Sequence, residues 1–211
     1  TDGLAHDLRS PLTRLKVRLD RAETEQNPAA RRTAIALANE EADRLLAMLT
    51  TALQISRAEA GIGQDHFETV DLSALIHDLA ELYAPLIEDR EFELKTDISP
   101  NIAVRAHREL IVQAIGNLID NALKYGASPI HLIVGQSVTH AWVEVSDRGI
   151  GIQPTQRAEA LRRFGRLDPS RTGFGAGLGL SLVQAVARLH GGTIDLGEAK
   201  PGLSIRLSIP I

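Results

Sequence analysis

Apolar residues follow a helical period through residues 1–60. Steps of three and four connect Leu8, Leu12, Leu15, Leu19 and Ala22, and later Ala38, Ala42, Leu45, Leu49 and Ala52, with Leu46 and Leu53 widening the second stripe. Asn27-Pro28 separates the two stripes, so the pattern predicts a helix, a break and a longer helix. One partner helix would cover each stripe poorly. We therefore expect two hairpins to pair into a dimeric four-helix bundle, which makes the chain a homodimer.

A different pattern begins near residue 67. It predicts helices over 72–89, 108–125 and 180–190, and strands over 91–97, 130–138, 141–146, 193–197 and 203–209. Gly61-Ile62-Gly63 ends the hairpin, which indicates two domains, residues 1–62 and 63–211. Helices over a sheet predict an α/β sandwich, so the fold class is α+β. Residues 153–178 lack a period and are rich in Gly, Arg and Pro, which is typical of a long functional loop.

Composition narrows the function classes. The chain is 44% apolar and 24% charged, which is ordinary for a folded domain. A net charge of −4 and few aromatic residues disfavour a DNA-binding module. The absence of cysteine excludes disulfides, zinc–thiolate sites and cysteine nucleophiles. No apolar run reaches the roughly 18 residues of a membrane span. Thr1 as the first residue and Met48 as the only methionine indicate a fragment of a longer protein.

His6 lies on the polar side of the first predicted helix. Its helical neighbours are polar, namely Arg9, Ser10 and Thr13. This position argues against a buried core histidine, and an ordinary surface histidine remains the alternative. Asp7 can accept the Nδ1 proton of an imidazole, which makes Nε2 a better nucleophile. Pro11 frees a backbone carbonyl and is expected to bend the helix beside His6.

The predicted helix over 108–125 carries a second polar stripe. Asn117, Asn121 and Lys124 stand at i, i+4 and i+7, beside the apolar stripe of the same helix. Asparagine is a poor helix former, so two on one face need an explanation. Their amide oxygens suit a hard cation such as Mg²⁺, and the lysine suits phosphate. A solvated polar face explains the stripe equally well.

Two glycine-containing segments follow. Asp147, Gly149 and Gly151 close the strand over 141–146, where a carboxylate can accept a hydrogen bond from an exocyclic amino group such as that of adenine. A plain Asp-Gly turn is the alternative. Glycines 173, 175, 177 and 179 alternate directly into the helix over 180–190. Backbone N–H groups at such a helix N-terminus favour a triphosphate, and a flexible linker would not explain the alternation.

Five segments, in this order, resemble the histidine kinase family of two-component systems. They are the H box His6–Leu12, the N box Asn117–Tyr125, the G1 box Asp147–Gly151, the F box Arg163–Arg166 and the G2 box Gly175–Leu180. Each box alone is a weak signal, but five in the correct order and spacing are specific. The resemblance implies a dimerisation and phosphotransfer hairpin, then an ATP-binding sandwich of the type shared with DNA gyrase and heat-shock chaperones.

The resemblance also implies roles for single residues. Asn121 and Asn117 would hold Mg²⁺, and Asp147 would bind the adenine amino group. Lys124 and Tyr125 would contact phosphate and ribose. Residues 164–178 would form the ATP lid, from which Arg166 or Arg171 would assist. The remaining nucleotide contacts would come from the glycine motifs, namely Gly149, Gly151, Gly175, Gly177, Gly179 and Leu180.

For the hairpin, the resemblance implies that Asp7 orients His6, whose Nε2 attacks the γ-phosphorus of ATP. A response regulator would then receive the phosphoryl group on an aspartate. The residue four positions after the histidine is often Thr in this family and supports phosphatase activity. Here it is Ser10, which keeps a hydroxyl and leaves phosphatase activity open.

The resemblance finally implies a cytoplasmic domain of an inner-membrane-anchored sensor, with any membrane anchor in segments outside this sequence. Nucleic acid is not an expected partner. Two rival hypotheses remain. One is a related ATPase of the same superfamily that phosphorylates nothing on itself, and the other is a degenerate kinase that acts as a dimeric scaffold.

Overall fold

A computed structural model describes residues 2–165 and 177–211, with the side chains of residues 2–8 and 10 outside the description. It divides into two compact units, Thr1–Leu53 and Gln54–Ile211. Within the described residues, no helix is long and apolar enough to cross a membrane.

The first unit is the predicted helical hairpin. Helix α1 spans Asp2–Thr24 and helix α2 spans Pro28–Glu59. The break between them falls where the sequence predicts it. Asn27 Oδ1 accepts hydrogen bonds from the amides of Ala29 and Ala30, at 2.9 and 3.3 Å, and so caps the start of α2. The last residues of α2, Gln54–Glu59, belong to the second unit.

Small side chains fill the inside of the hairpin. Ala22 of α1 is buried, and so are Ala34, Ala38 and Leu45, which follow one face of α2. Larger side chains of the predicted stripes stay in solvent, and these include Leu12 at 53% and Leu46 at 63% exposure. The stripes are therefore only partly covered within one chain, as their width predicts.

Glu41 is a buried charge inside this hairpin, which the apolar pattern did not reveal. Its residue is 1% exposed. Its carboxylate lies 2.9 Å from Arg14, 3.4 Å from Arg44 and 3.8 Å from Arg18. Arg14 and Arg18 come from α1, so the carboxylate joins the two helices at one register. A buried carboxylate needs such partners because its desolvation is costly.

The second unit contains a five-stranded sheet in the order β2-β4-β5-β7-β6. Its strands are β2 Leu94–Ile98, β4 Ile130–Gln136, β5 His140–Ser146, β6 Thr193–Glu198 and β7 Leu203–Pro210. Strands β2 and β4 are parallel, and the other neighbours are antiparallel. Two further strands, β1 Glu68–Asp71 and β3 Ala103–Ala106, form a separate antiparallel pair.

Three long helices pack against the sheet, namely α3 Leu72–Asp89, α4 Arg108–Tyr125 and α6 Gly179–Leu189. Strand β5 alternates buried Val143 and Val145 with outward-facing Trp142 and Glu144, as a sheet covered on one face should. Arg206 of β7 donates to Glu144 and stacks over the Trp142 ring on the outer face. The predicted α/β sandwich, and with it the α+β fold class, is confirmed.

The structure differs from the predicted elements in two places. Strands β1 and β3 were not predicted, because four residues are too few to show a period. Tertiary contacts hold them: Ser73 Oγ donates to Ser99 O and accepts from the amide of Ile102. Within the segment predicted as a long loop, Pro154–Gln156 forms a 3₁₀ turn and Arg157–Ala160 a short helix, α5.

Candidate functional site

Helix α4 presents the predicted polar stripe at one side of the second unit. Asn117 and Asn121 are half-buried, while Lys124 is exposed. The side-chain amide of Asn117 donates to the carbonyl of Gln113 at 2.8 Å, which fixes the direction in which its oxygen points. The ammonium of Lys124 lies 3.6 Å from the carboxylate of Asp120, one turn earlier on the helix.

The N-terminus of α6 lies directly against these asparagines. A Cβ placed on Gly179 would lie 3.1 Å from Asn117 Oδ1 and 3.5 Å from Asn121 Nδ2. A side chain on residue 179 would therefore be in tight contact with Asn117 and in ordinary contact with Asn121. The first N–H groups of a helix have no intrahelical partner and carry partial positive charge. Amide oxygens and free N–H groups are thus brought together, as the N and G2 boxes require.

Asp147 is a buried carboxylate, at 7% exposure, directly after β5. Its Oδ1 accepts a hydrogen bond from the amide of Gly149 at 2.7 Å. Burial raises the pKa of the Asp147 carboxyl above its ordinary value, while backbone hydrogen bonds with Gly149 and Leu203 act in the lowering direction. A carboxylate in this environment can accept from a ligand amino group with little competition from water.

Glycines surround Asp147 and connect it to α4. A Cβ on Gly126 would lie 2.6 Å from Asp147 Cγ, and one on Gly149 would lie 2.7 Å from the Cα of Gly126. The backbone after α4 therefore touches the turn after β5. On the other side, a Cβ on Gly202 would lie 1.8 Å from the carbonyl oxygen of Asp147, at a φ of +114°. The N and G1 boxes meet through these contacts.

Gly126 and Gly202 pack closely against Asp147, and the sequence motifs do not include either residue. A glycine that directly follows a helix is normally read as a left-handed cap. Gly126 instead has a φ of −88°, so glycine is required there by its close neighbours, the carbonyl oxygen of Ala122 and the side chain of Asp147, and not by its own backbone angles. Gly202 lies in the turn between β6 and β7, more than fifty residues from Asp147 in sequence. No local pattern could have found that contact.

The base of the predicted lid is closed by backbone contacts. A Cβ on Gly177, at a φ of +67°, would lie 2.8 Å from the carbonyl oxygen of Gly165, and one on Gly165 would lie 2.0 Å from that of Glu159. The F and G2 boxes therefore meet at Gly165 and Gly177. Gly151 has a φ of +68° and lies beside Gly202. Arg166, Arg171 and Gly175 lie outside the described residues.

Some predicted residues lie at the edge of this cluster, and others lie in the other unit. Leu180 follows Gly179 in the first turn of α6, and Tyr125 is half-exposed at the end of α4. His6, Asp7 and Ser10 lie in α1, in the other unit, and their side chains are outside the description. Pro11 lies inside α1, as the sequence requires. Among the described residues, no group of three His, Asp or Glu side chains could hold a metal ion.

Family models match both units. The model for "Histidine kinase-, DNA gyrase B-, and HSP90-like ATPase" matches residues 106–211, and the model for "His Kinase A (phospho-acceptor) domain" matches residues 1–61. Together the two cover most of the chain. The chain belongs to the histidine kinase family. The ATPase match starts at the end of β3, so both asparagines, Asp147 and the glycines around them lie inside it.

Individual histidine kinases resemble the whole chain. The sensor histidine kinase MtrB of Mycobacterium leprae is 30% identical over 219 aligned positions, which cover 100% of this chain and 39% of MtrB. The chain thus spans less than half of that relative. The structure of Acinetobacter baumannii histidine kinase AdeS has a TM-score of 0.77 at 19% identity and covers 97% of both chains, which shows the fold. Full-length ShkA in complex with AMPPNP has a TM-score of 0.71 at 25% identity, over 99% of this chain and 45% of ShkA.

Proposed function

We propose that this chain is the catalytic part of a sensor histidine kinase that transfers the γ-phosphoryl group of ATP to its own His6. One observation carries the proposal. The first turn of α6 lies against the side-chain amides of Asn117 and Asn121, while Asp147 lies buried beyond the end of the same α4 helix. A phosphate site and an adenine site are thus joined by one helix. ShkA, which was solved with AMPPNP, supports a nucleotide ligand.

The adenine half of the site is built around Asp147. Its carboxylate would accept a hydrogen bond from the adenine amino group, and Gly149 and Gly151 would let the ring approach the backbone closely. Gly126 supports this role because any side chain there would occupy the space next to the carboxyl group. Tyr125, at the adjacent end of α4, would contact the ribose.

The phosphate half uses the start of α6. N–H groups of Gly177, Gly179 and Leu180, with those of Gly175, would face the phosphates and stabilise their charge. Lys124 would leave Asp120 to meet a phosphate oxygen, since their exposed pairing is weak. Arg166 or Arg171 of the lid would add a further positive charge.

The side chains present fit a magnesium ion. Magnesium prefers oxygen ligands and usually binds through few protein groups plus phosphate oxygens. Asn117 and Asn121 supply amide oxygens beside a backbone that leaves room for phosphate, because residue 179 has no side chain. When bound, the ion would neutralise charge on the triphosphate. Asn121 and Asn117 are therefore the proposed metal-holding residues.

The acceptor is His6 of α1. Its Nδ1 proton would be held by Asp7, which leaves the Nε2 lone pair free to attack the γ-phosphorus. The bond from that phosphorus to the bridging oxygen would break, so ADP would depart with the electron pair. The Nδ1 proton of the product would stay with Asp7. Transfer of this kind needs in-line positioning and charge neutralisation more than covalent help.

The phosphoryl group would next pass to an aspartate of a response regulator that docks near His6. Ser10 would position water in a phosphatase reaction toward the same regulator. We expect Ser10→Ala to spare autophosphorylation, and equal loss of both activities would refute this separation of roles.

The hairpin supports a homodimer. Apolar side chains of both helices are more than half exposed in one chain, and these are Leu12, Val17, Leu19, Leu46 and Leu53. Pairing of two hairpins would cover them in a four-helix bundle. We propose residues 1–62 as the dimerisation and phosphotransfer domain and 63–211 as the ATP-binding domain. In the full-length protein, both would form the cytoplasmic part of a membrane-anchored sensor.

The test is incubation of the purified chain with γ-labelled ATP and Mg²⁺. We expect protein-bound label that is lost in acid and kept in alkali, as phosphohistidine requires. His6→Gln should take no label. His77→Gln is the matched control, because His77 is an exposed histidine on α3, far from the site in sequence. Label that survives in His6→Gln, or none in the unaltered chain, would overturn the proposal.

A further inference from the structure

Aromatic rings hold the short segment that follows α2. We name Gln64–Phe67 the linker turn; its first three residues form a 3₁₀ helix. The Phe67 ring stacks on the His190 ring, with centroids 4.5 Å apart and planes tilted by 17°. The His66 ring lies 5.6 Å from the His107 ring. Gln64 Nε2 donates to the carbonyl of Leu189 at 3.4 Å. The linker turn is therefore held by residues at the end of α6 and the start of α4.

His190 joins those two helices through both ring nitrogens. It is 7% exposed and caps the C-terminus of α6. Its Nδ1 donates to the carbonyl of Val186 at 2.7 Å, and its Nε2 accepts from the backbone N–H of His107 at 3.0 Å. Because a backbone N–H can only donate, Nε2 must carry no proton. The arrangement needs a neutral imidazole in one tautomer.

Other charged groups face this cluster from each neighbouring element. Asp65 lies 3.7 Å from His66 within the linker turn. From α4, a carboxylate oxygen of Glu109 lies 2.9 Å from His107 Nδ1, although their geometry is not that of a hydrogen bond. Glu59 of α2 and Arg188 of α6 line the cavity beside the linker turn.

Protonation of His190 would disrupt the contact with His107. A proton on Nε2 would turn an acceptor into a donor that points at another donor, the His107 N–H. Burial lowers the pKa of His190 below its ordinary value, and the nearby His107 acts in the same direction, against the hydrogen bond to Val186. The face of Phe67 attracts a cation, but it replaces no hydrogen bond.

We propose that His190, together with the rings of Phe67, His66 and His107, forms a clasp that holds the linker turn at neutral pH and releases it when His190 is protonated in acid. The clasp lies at the C-terminal end of α6, whose N-terminal end contacts Asn117 and Asn121 through Gly179. The clasp also lies in the segment that directly follows α2, the second helix of the hairpin. A role of the clasp in regulating autophosphorylation rests on the function proposed above, whereas the pH dependence of the contact itself does not.

Hydrogen exchange tests the clasp without ATP. The amides of His66 and Phe67 donate to the carbonyls of Gly63 and Gln64 within the linker turn. After correction for the intrinsic pH dependence of exchange, we expect their protection to fall about tenfold between about pH 7.5 and pH 5.5, as protonation of an ordinary histidine in the released state requires. Protection that does not change with pH would overturn the proposal, whatever the kinase assay shows.

Variants identify the group responsible. His190→Gln keeps an acceptor for the His107 amide but cannot titrate, so its protection should not depend on pH. His140→Gln is the control, because His140 is an exposed histidine on β5 and should retain the full tenfold effect. If His190→Gln fails to fold, His190→Asn, a second uncharged side chain that cannot titrate, should likewise lose the pH effect. An unreduced effect in the folded variant would overturn the clasp.

Discussion

The two units bury their side chains in opposite ways. In the second unit, large apolar side chains such as Ile115, Leu132 and Leu182 are fully enclosed between helices and sheet. In the hairpin, alanines fill the inside, while Leu46 and Leu53 remain more than 60% exposed. The second unit thus encloses its core within one chain, whereas the hairpin leaves large apolar side chains uncovered in one chain.

The buried carboxylates of the two units also differ in the groups that surround them. Glu41 of the hairpin is matched by arginine side chains, so its charge is used within the protein. Asp147 is held by backbone amides in a wall of glycines, which leaves room for a ligand beside it. The arginines around Glu41 indicate a structural role for this carboxylate, and the glycines around Asp147 indicate a ligand-binding role. Four substitutions test this division, from the largest expected effect to the smallest.

Asp147→Asn should weaken ATP binding about a hundredfold, because removal of a charged acceptor from a buried site leaves the ligand amino group poorly paired. The free energy of unfolding of the hairpin should change little, because Asp147 lies in the other unit. Isothermal titration with ATP and Mg²⁺ gives the dissociation constant. Glu144→Gln is the control, because Glu144 lies on the outer face of β5, the strand that precedes Asp147. This variant should bind ATP normally. An unchanged affinity in Asp147→Asn would remove Asp147 from the site.

Glu41→Ala should lower the free energy of unfolding by about 2 kcal/mol, because it leaves three arginines without a shared carboxylate. The arginines are partly exposed, so the loss should stay below that of a fully buried pair. Glu40→Ala is the matched control; Glu40 is exposed and pairs only at the surface with Arg44, so its loss should be below about 0.5 kcal/mol. Urea denaturation compares the two. Equal losses would show that burial of Glu41 contributes nothing.

Gly179→Ala should reduce the labelling rate about tenfold, because the new methyl group would press against Asn117 Oδ1 and displace the start of α6 from both asparagines. Gly197→Ala is the matched control, since a Cβ there would lie 3.8 Å from Ser204, an ordinary contact. Initial rates with γ-labelled ATP measure the effect. A similar decrease in the two variants would indicate general destabilisation.

Leu46→Gln should weaken dimerisation about fivefold, because each subunit would lose one apolar side chain from the shared bundle. The fold of the single hairpin should hardly change, because Leu46 is largely exposed in one chain. Sedimentation equilibrium measures the dimer dissociation constant. Leu86→Gln on α3 changes an exposed leucine of the second unit and should leave that constant unchanged. Weaker dimers in both variants would contradict the division between the units.

The sequence predicted those features that local pattern determines. The α4 stripe and the strand before Asp147 each depend on neighbours within a few residues. Gly202 could not be found this way, because its role depends on contact with Asp147 across two strands. Glu41 looks like any surface acid until the arginines of α1 are placed around it. Strands β1 and β3 exist because they pair with each other.

The most direct test of the central claim compares label and ATP affinity in His6→Gln and Asp147→Asn. At an ATP concentration near the dissociation constant of the unaltered chain, His6→Gln should take no label because it lacks the acceptor. Asp147→Asn should take very little label because it binds little nucleotide. His6→Gln should nevertheless bind ATP as tightly as the unaltered chain, because His6 lies in the other unit. Loss of ATP binding in His6→Gln, or full labelling in Asp147→Asn, would contradict the assignment of acceptor and nucleotide site to separate units.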